Sequence, residues 1–160
     1  MSTMTDPYEG LISYQQALND KLISPSPCSL YKDMTIYHDV AEGNQRLTFA
    51  IMDNGIVKAT AVYVFAPNID GIPCFGIGYS VAENYRKKGI ATEIVTNSIK
   101  EFSHGMKGKL PLFYIEAIID LNNIASQKVA LKTISNTPKE TIDKISGKPA
   151  YQFIKLVKNS

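Results

Sequence analysis

Cysteine is scarce in this chain: Cys28 and Cys74 stand far apart and outside any Cys-x-x-Cys spacing. That speaks against a disulfide framework and against a structural zinc site. Two reduced thiols in a cytoplasmic protein are the simpler reading. Charge of one sign is lacking too. A net charge of +2 gives no dense basic face of the kind that nucleic-acid binders carry. No apolar run reaches membrane-spanning length, and the polar opening, Met1 to Asp6, has no secretory core. Internal repeats and low-complexity tracts are absent. What is present is 160 residues, 44% hydrophobic and 20% charged. This is the balance of one globular domain over residues 1–160, long enough to bury a core.

Asp6-Pro7-Tyr8-Glu9 reads as a helix start, with Asp6 as cap, Pro7 at the first position and Glu9 completing a capping box. Leu11, Tyr14, Leu18 and Leu22 continue at helical spacing up to the prolines at 25 and 27. Strands are expected over Leu30–Val40, Leu47–Met52, Ile56–Ala66 and Cys74–Val81. Turns are expected at Ala41–Asn44 and Asp53–Gly55, and a loop over Pro67–Pro73. Ile90, Ile94, Val95, Ile99 and Phe102 mark an amphipathic helix. Leu112–Ile119 is almost continuously apolar, the pattern of a strand buried on both faces. A helix over about Ile124–Lys132 and a closing hairpin, Thr141–Ile145 with Ala150–Val157, complete the chain. The order predicts a mixed α/β (α+β) fold. A strand–helix–strand unit from Cys74 to Ile119 gives two parallel central strands within a mostly antiparallel mixed sheet, with helices on its faces.

Where the fourth strand gives way to a helix, the chain reads Val81-Ala82-Glu83-Asn84-Tyr85-Arg86-Lys87-Lys88-Gly89-Ile90-Ala91-Thr92. A helix start leaves backbone N–H groups without intrahelical partners, and the helix dipole adds positive potential there. Gly89 lets the backbone approach a ligand, Ala91 keeps the first turn narrow, and Arg86, Lys87 and Lys88 add charge. The segment is an anion cradle, best suited to a diphosphate; a capped helix start with solvated charges is the plainer alternative. It lacks the Gly-Lys-Ser/Thr of a nucleotide P-loop and the three glycines of a dinucleotide fingerprint. It joins the two parallel strands, at whose carboxyl ends ligands tend to bind. Asn123 and Ser126 lie just past the second strand, three apart, either facing the same cleft or serving as ordinary capping residues.

Together these segments resemble the GCN5-related N-acetyltransferase (GNAT) superfamily, with closest flavour to ribosomal-protein-alanine acetyltransferases. The resemblance rests on Gly78-Tyr79-Ser80-Val81, Arg86 to Glu93, Ile115-Glu116-Ala117, Asn123-Ile124-Ala125-Ser126 and Ala130-Leu131-Lys132. It spans roughly Leu47 to Val157. It implies a central sheet whose parallel strands splay apart, often with help from a bulge. It also implies acetyl-CoA as acyl donor, no metal, and direct attack by a primary amine. That acceptor could be a small molecule, a peptide or protein N-terminus, or an aminoacyl-tRNA. Backbone groups of Ser80, Val81 and Ala82 would then pair with the pantetheine arm. Amides of Lys87, Lys88, Gly89, Ile90, Ala91 and Thr92, beside Arg86, would hold the pyrophosphate. Asn123 would bond the pantetheine or the acceptor side, and Ser126 would lie near the sulfur. The closing hairpin often supports a homodimer in this superfamily.

Three places depart from the pattern. Ala130 stands where many members carry the tyrosine that protonates the departing thiolate, Gly76 where a glutamate is frequent, and Thr133-Ile134 where Gly-Phe is usual. Ser126 is the remaining candidate donor. Glu116 is the leading candidate base, as the sole charged residue between Leu112 and Ile119; burial would raise its pKa. A structural carboxylate is the other reading. Tyr79 reads as packing or acceptor lining. His38, and His104 at a helix end, carry little. These departures also leave open a catalytically weak acyl-CoA-binding protein with a sensory or interaction role.

Overall fold

The computed structural model describes residues 6–159. Helix α1, Pro7–Asn19, is capped by Asp6, whose carboxylate accepts the Tyr8 N–H at 2.9 Å. Among the described hydrogen bonds Glu9 returns none to Asp6, so the cap is Asp6 alone rather than a capping box. The helix stops at Asn19, not near Leu22. Lys21 turns left-handed (φ 59°), Leu22 N–H donates to Ala17 C=O, and Lys21 N–H to Leu18 C=O. This is a Schellman ending without its usual glycine, so the sequence carried no signal for it.

Eight strands form one sheet in the order β1-β2-β3-β4-β5-β6-β8-β7. They are β1 Ser26–Pro27, β2 Met34–Ala41, β3 Asn44–Asp53, β4 Ile56–Ile69, β5 Ile72–Val81, β6 Leu112–Asp120, β7 Lys139–Ile142 and β8 Pro149–Lys158. Helices α2, Ile90–Gly105, and α3, Ile124–Thr133, complete the fold. Among the described strands only β5 and β6 pair in parallel. The expected mixed, mostly antiparallel sheet is therefore present.

Two expectations need correction near the start of the sheet. β2 begins at Met34 rather than Leu30, because residues 29–31 are held off the sheet by α2. The buried Glu101 carboxylate accepts N–H bonds from Ser29, Leu30 and Tyr31. The two-residue β1 pairs with Thr35 and Ile36, where the sequence suggested only a proline-rich stop. The segment Pro67–Pro73 is no loop. β4 continues to Ile69, and Asp70-Gly71, both at positive φ (51° and 75°), makes a two-residue turn straight into β5. That is the turn geometry Asp-Gly favours. Pro67 is tolerated because the ladder is already irregular between Ala66 and Ile69.

The helices cover opposite faces. Ile90, Ile94, Val95, Ile99 and Phe102 of α2 pack with Phe49, Tyr63, Phe75, Ile77, Phe113 and Ile115. On the other face Leu11 and Tyr14 of α1 pack on Ala50 and Val57. Val57 reaches that face because the β3–β4 register shifts between Ile51 and Met52. Helix α1 lies mainly over β4 and β5. In consequence β6 is not buried on both faces. Phe113, Ile115, Ala117 and Ile119 are buried, whereas Leu112, Tyr114, Glu116 and Ile118 are half-buried.

Candidate active site

The parallel ladder between β5 and β6 is short. Cys74 pairs with Tyr114, Phe75 with Ile115 and Gly76 with Glu116, and there the pairing ends. β5 runs on to Val81, still bonded to β4, while β6 runs on to Asp120, still bonded to β8. The sheet therefore forks after Gly76 and Glu116. No bulge in β5 causes this, since the β4–β5 register is unbroken from Ala66↔Cys74 to Ala59↔Val81. Each strand instead follows its outer neighbour. On the α2 face Tyr79 spans the fork: its hydroxyl donates to the Ser126 carbonyl, in the first turn of α3, at 2.7 Å. Burial pushes the Tyr79 phenol well above its ordinary value, so it is a fixed hydrogen-bond donor at neutral pH.

At the open end of β5, Glu83–Tyr85 forms one 3-10 turn, and the chain then enters α2 through two left-handed residues, Lys87 (φ 63°) and Gly89 (φ 77°). A left-handed lysine is uncommon and strained, and such strain gathers at functional positions. Gly89 is the N-cap of α2 and supplies no capping side chain. The first α-helical bond is Glu93 N–H to Gly89 C=O. Among the described residues no acceptor meets the N–H groups of Lys87, Lys88, Gly89, Ile90, Ala91 or Thr92. They form an uncapped run of donors at a sixteen-residue helix start. Arg86 folds back from it: Nε donates to Val81 C=O at 3.2 Å, and the guanidinium lies 4.7 Å from the Tyr8 ring centroid. Lys58 and Lys88 both lie over the ring of Tyr85.

Asn123 and Ser126 sit at the start of α3, as expected, but their mutual bond is a cap. Asn123 Oδ1 accepts the Ser126 N–H at 3.1 Å. Ala130 is fully buried, one turn further on.

Glu116 stands at the base of the fork and, by alternation with the buried residues of β6, points to the face opposite α2. Gln152 of β8 donates Nε2–H to its Oε2 at 2.6 Å. Sequence reasoning missed Gln152, since nothing in the β8 segment distinguishes it from any polar residue on a strand. On the same face, Gly78 leaves room for α1: a β-carbon there would lie 3.4 Å from Pro7. The Cys74 thiol is pushed up to about 12, first by burial and then by the Glu116 charge. It stays protonated and is a poor nucleophile at neutral pH. His38 is exposed on β2 and His104 lies exposed at the end of α2, both remote from the fork in the fold. Among the described residues no group of His, Cys, Asp or Glu could hold a metal ion.

The sequence profile of the acetyltransferase (GNAT) domain family matches residues 26–133. The chain belongs to this family. No curated protein matches it. Solved structures do, at identities that show the fold alone. This GNAT chain is similar to RimL, a ribosomal L7/L12 alpha-N-protein acetyltransferase, in complex with coenzyme A. Identity is 15%, the match covers 72% of this chain and 64% of that one, and the TM-score is 0.52. It is similar to AAC(6')-Ib in complex with paromomycin and acetyl-CoA (14%, 69% and 64%, TM-score 0.52). It is also similar to a GNAT-family acetyltransferase from Streptococcus pneumoniae (14%, 70% and 66%, TM-score 0.50). The match thus spans just under two thirds of each of these proteins. No described helix of the GNAT chain is long and apolar enough to cross a membrane.

Proposed function

We propose that the chain is an N-acetyltransferase that moves the acetyl group of acetyl-CoA to a primary amine by direct attack. The observation that carries this is the fork between β5 and β6, with a run of free amides at its open end and a carboxylate at its base. A linear amide-bearing arm fits between strands that have lost each other as partners. A pyrophosphate suits the Lys87–Thr92 amides, which offer donors and positive potential without a competing side-chain cap. In this reading Ser80, Val81 and Ala82 line the arm, and Ser126 stands near the sulfur.

Bound acetyl-CoA supplies an activated acyl group: a C–N bond forms as the C–S bond breaks. The chain's own groups handle protons and position. A primary alkylamine is protonated near neutrality, with a pKa of about 10.4 for lysine, so a base is needed. Glu116 is placed for it: Oε1 is free of the described hydrogen bonds, and the residue faces the side that α2 leaves open. Cys74 is not offered to the acyl donor: its side chain is buried, and burial pushes its thiol up. The leaving thiolate has no tyrosine on α3, since position 130 is a buried alanine and the Tyr79 hydroxyl is committed to Ser126. Ser126 or water supplies that proton.

The test is release of CoA from acetyl-CoA with small amines, peptides bearing a free N-terminus, and aminoacyl-tRNA, each offered separately. Turnover with one class supports the reading and names the acceptor. Tight binding of acetyl-CoA without turnover on any of them would favour the second reading, a catalytically weak acyl-CoA-binding protein. The committed Tyr79 hydroxyl and the buried Ala130 are the observations behind that alternative.

A further inference from the structure

We infer that Gln152 is the positioning residue for the Glu116 carboxylate, holding it so that one oxygen faces the acceptor amine. The inference rests on the proposed role of Glu116 and adds a residue on a different strand. In the β6–β8 register Glu116 lies opposite Ile154, and Gln152 opposite Ile118. Gln152 therefore sits one step along the same face, diagonal to Glu116, within reach of a long side chain. Its amide donates to Oε2 at 2.6 Å, and a hydrogen bond to an ionised carboxylate is stronger than one between neutral groups. It engages one carboxylate oxygen and leaves Oε1 without a protein partner among the described residues.

The chemistry of the partner matters as much as the contact. Glu116 needs an orienting group because its face of β6 is only half-buried. A lysine or arginine here would orient the carboxylate too, but it would neutralise it and repel an incoming ammonium group. A carboxamide donates a hydrogen bond without bringing charge. Cations do not take the place of Gln152. Among the described residues the ion pair found is Arg46–Asp39, at the far side of the sheet, and Lys139, opposite Gln152 in the β7–β8 register, makes none. Glu116 thus keeps its charge uncompensated and its geometry fixed. Both are properties a base requires.

The experiment is a double-mutant cycle on the intact chain, with the amine that supports turnover. It measures kcat and KM for that amine, the dissociation constant for acetyl-CoA, and the melting temperature. Gln152→Met keeps the length and removes the donor. The expectation is a fall in kcat of about tenfold or more, the factor expected for losing a hydrogen bond to a charged group. Acetyl-CoA binding should be unchanged, and the melting temperature should fall only by the small amount that loss of one part-buried hydrogen bond entails. In the Glu116→Gln background the same substitution should have no further effect, because the residue acts through Glu116. Gln152→Glu, which replaces the donor by an acceptor, should lose more than Gln152→Met; it is the second variant should the methionine form fold poorly. Wild-type kcat in both variants would overturn the inference while leaving Glu116 in place. So would a loss that recurs undiminished on top of Glu116→Gln. Full activity of Glu116→Gln, or no turnover by the wild-type chain, would overturn the reading of Glu116 itself and Gln152 with it.

Discussion

The two ends of the fork are made of different material. The open end, Lys87 to Thr92, is backbone: amide groups, two left-handed residues and a helix start, with charged side chains folded aside onto Tyr8 and Tyr85. The closed end is side chain: Glu116, Gln152 and the buried Cys74 thiol. A backbone site depends on conformation and tolerates many side chains. A side-chain site depends on identity and tolerates few. Substitutions should therefore divide cleanly, those at the closed end changing turnover and those at the open end changing donor affinity.

The largest effect is expected from Glu116→Gln. Turnover should fall by about 10²–10⁴-fold, the usual worth of a general base, while acetyl-CoA binding stays intact by calorimetric titration. Equal losses in both would erase the distinction between the ends. Next is Gly89→Val. A β-branched residue held at φ 77° costs on the order of 1–2 kcal/mol, although no neighbour lies within 4 Å to clash. Donor affinity should drop by roughly tenfold, and kcat at saturating donor should hold. Replacing Gly89 by asparagine, which accepts the left-handed region more readily, should lose less.

Alkali should act on the buried side chains and spare the backbone end. Cys28, Cys74 and Tyr14 are each pushed up to about 12, mainly by burial, from ordinary values of 9 and 10. Between those values the unfolded chain releases protons that the folded chain retains, so stability falls as pH rises. This contribution is complete below about pH 9 and is lost progressively towards about 12. Scanning calorimetry from pH 7 to 10.5 should show a falling melting temperature above 9; a flat profile would contradict the burial of these groups. Tyr79→Phe should cost about 1 kcal/mol through loss of the bond to Ser126, read by urea denaturation. The smallest effect is expected for Lys88→Ala. It should weaken donor binding by a few-fold, with the difference vanishing at high salt.

The same contrast explains what could be read from the sequence. The open end was legible almost to the residue, because Gly89 and the apolar repeat from Ile90 encode a helix start locally. Glu116 was legible because a charge inside Leu112–Ile119 is conspicuous. Gln152 was not, because its meaning depends on a register set between strands more than thirty residues apart. The loop read over Pro67–Pro73 failed in an instructive way. The prolines outweighed Asp70-Gly71, which held the turn signal, and the ladder irregularity that makes Pro67 harmless cannot be seen in one dimension. Glu101 belongs with Gln152: three backbone N–H groups about seventy residues away give it its role. In the sequence it passes for a solvated helix residue.

A sheet ordinarily has two rims, and this one has four. Where β5 and β6 part, each presents a row of main-chain groups to the gap, as an outer strand does to solvent. Exposed rims invite foreign strands, and these two face each other across a wedge that closes at Gly76 and Glu116. In the proposed function the chain that enters is a thin one with its own amides, coming in from the wide end. Hydrogen exchange should register its arrival: protection should rise along Ile77–Val81 and at Lys87–Thr92 together, as one cooperative step, and hardly at all on β2 or β7.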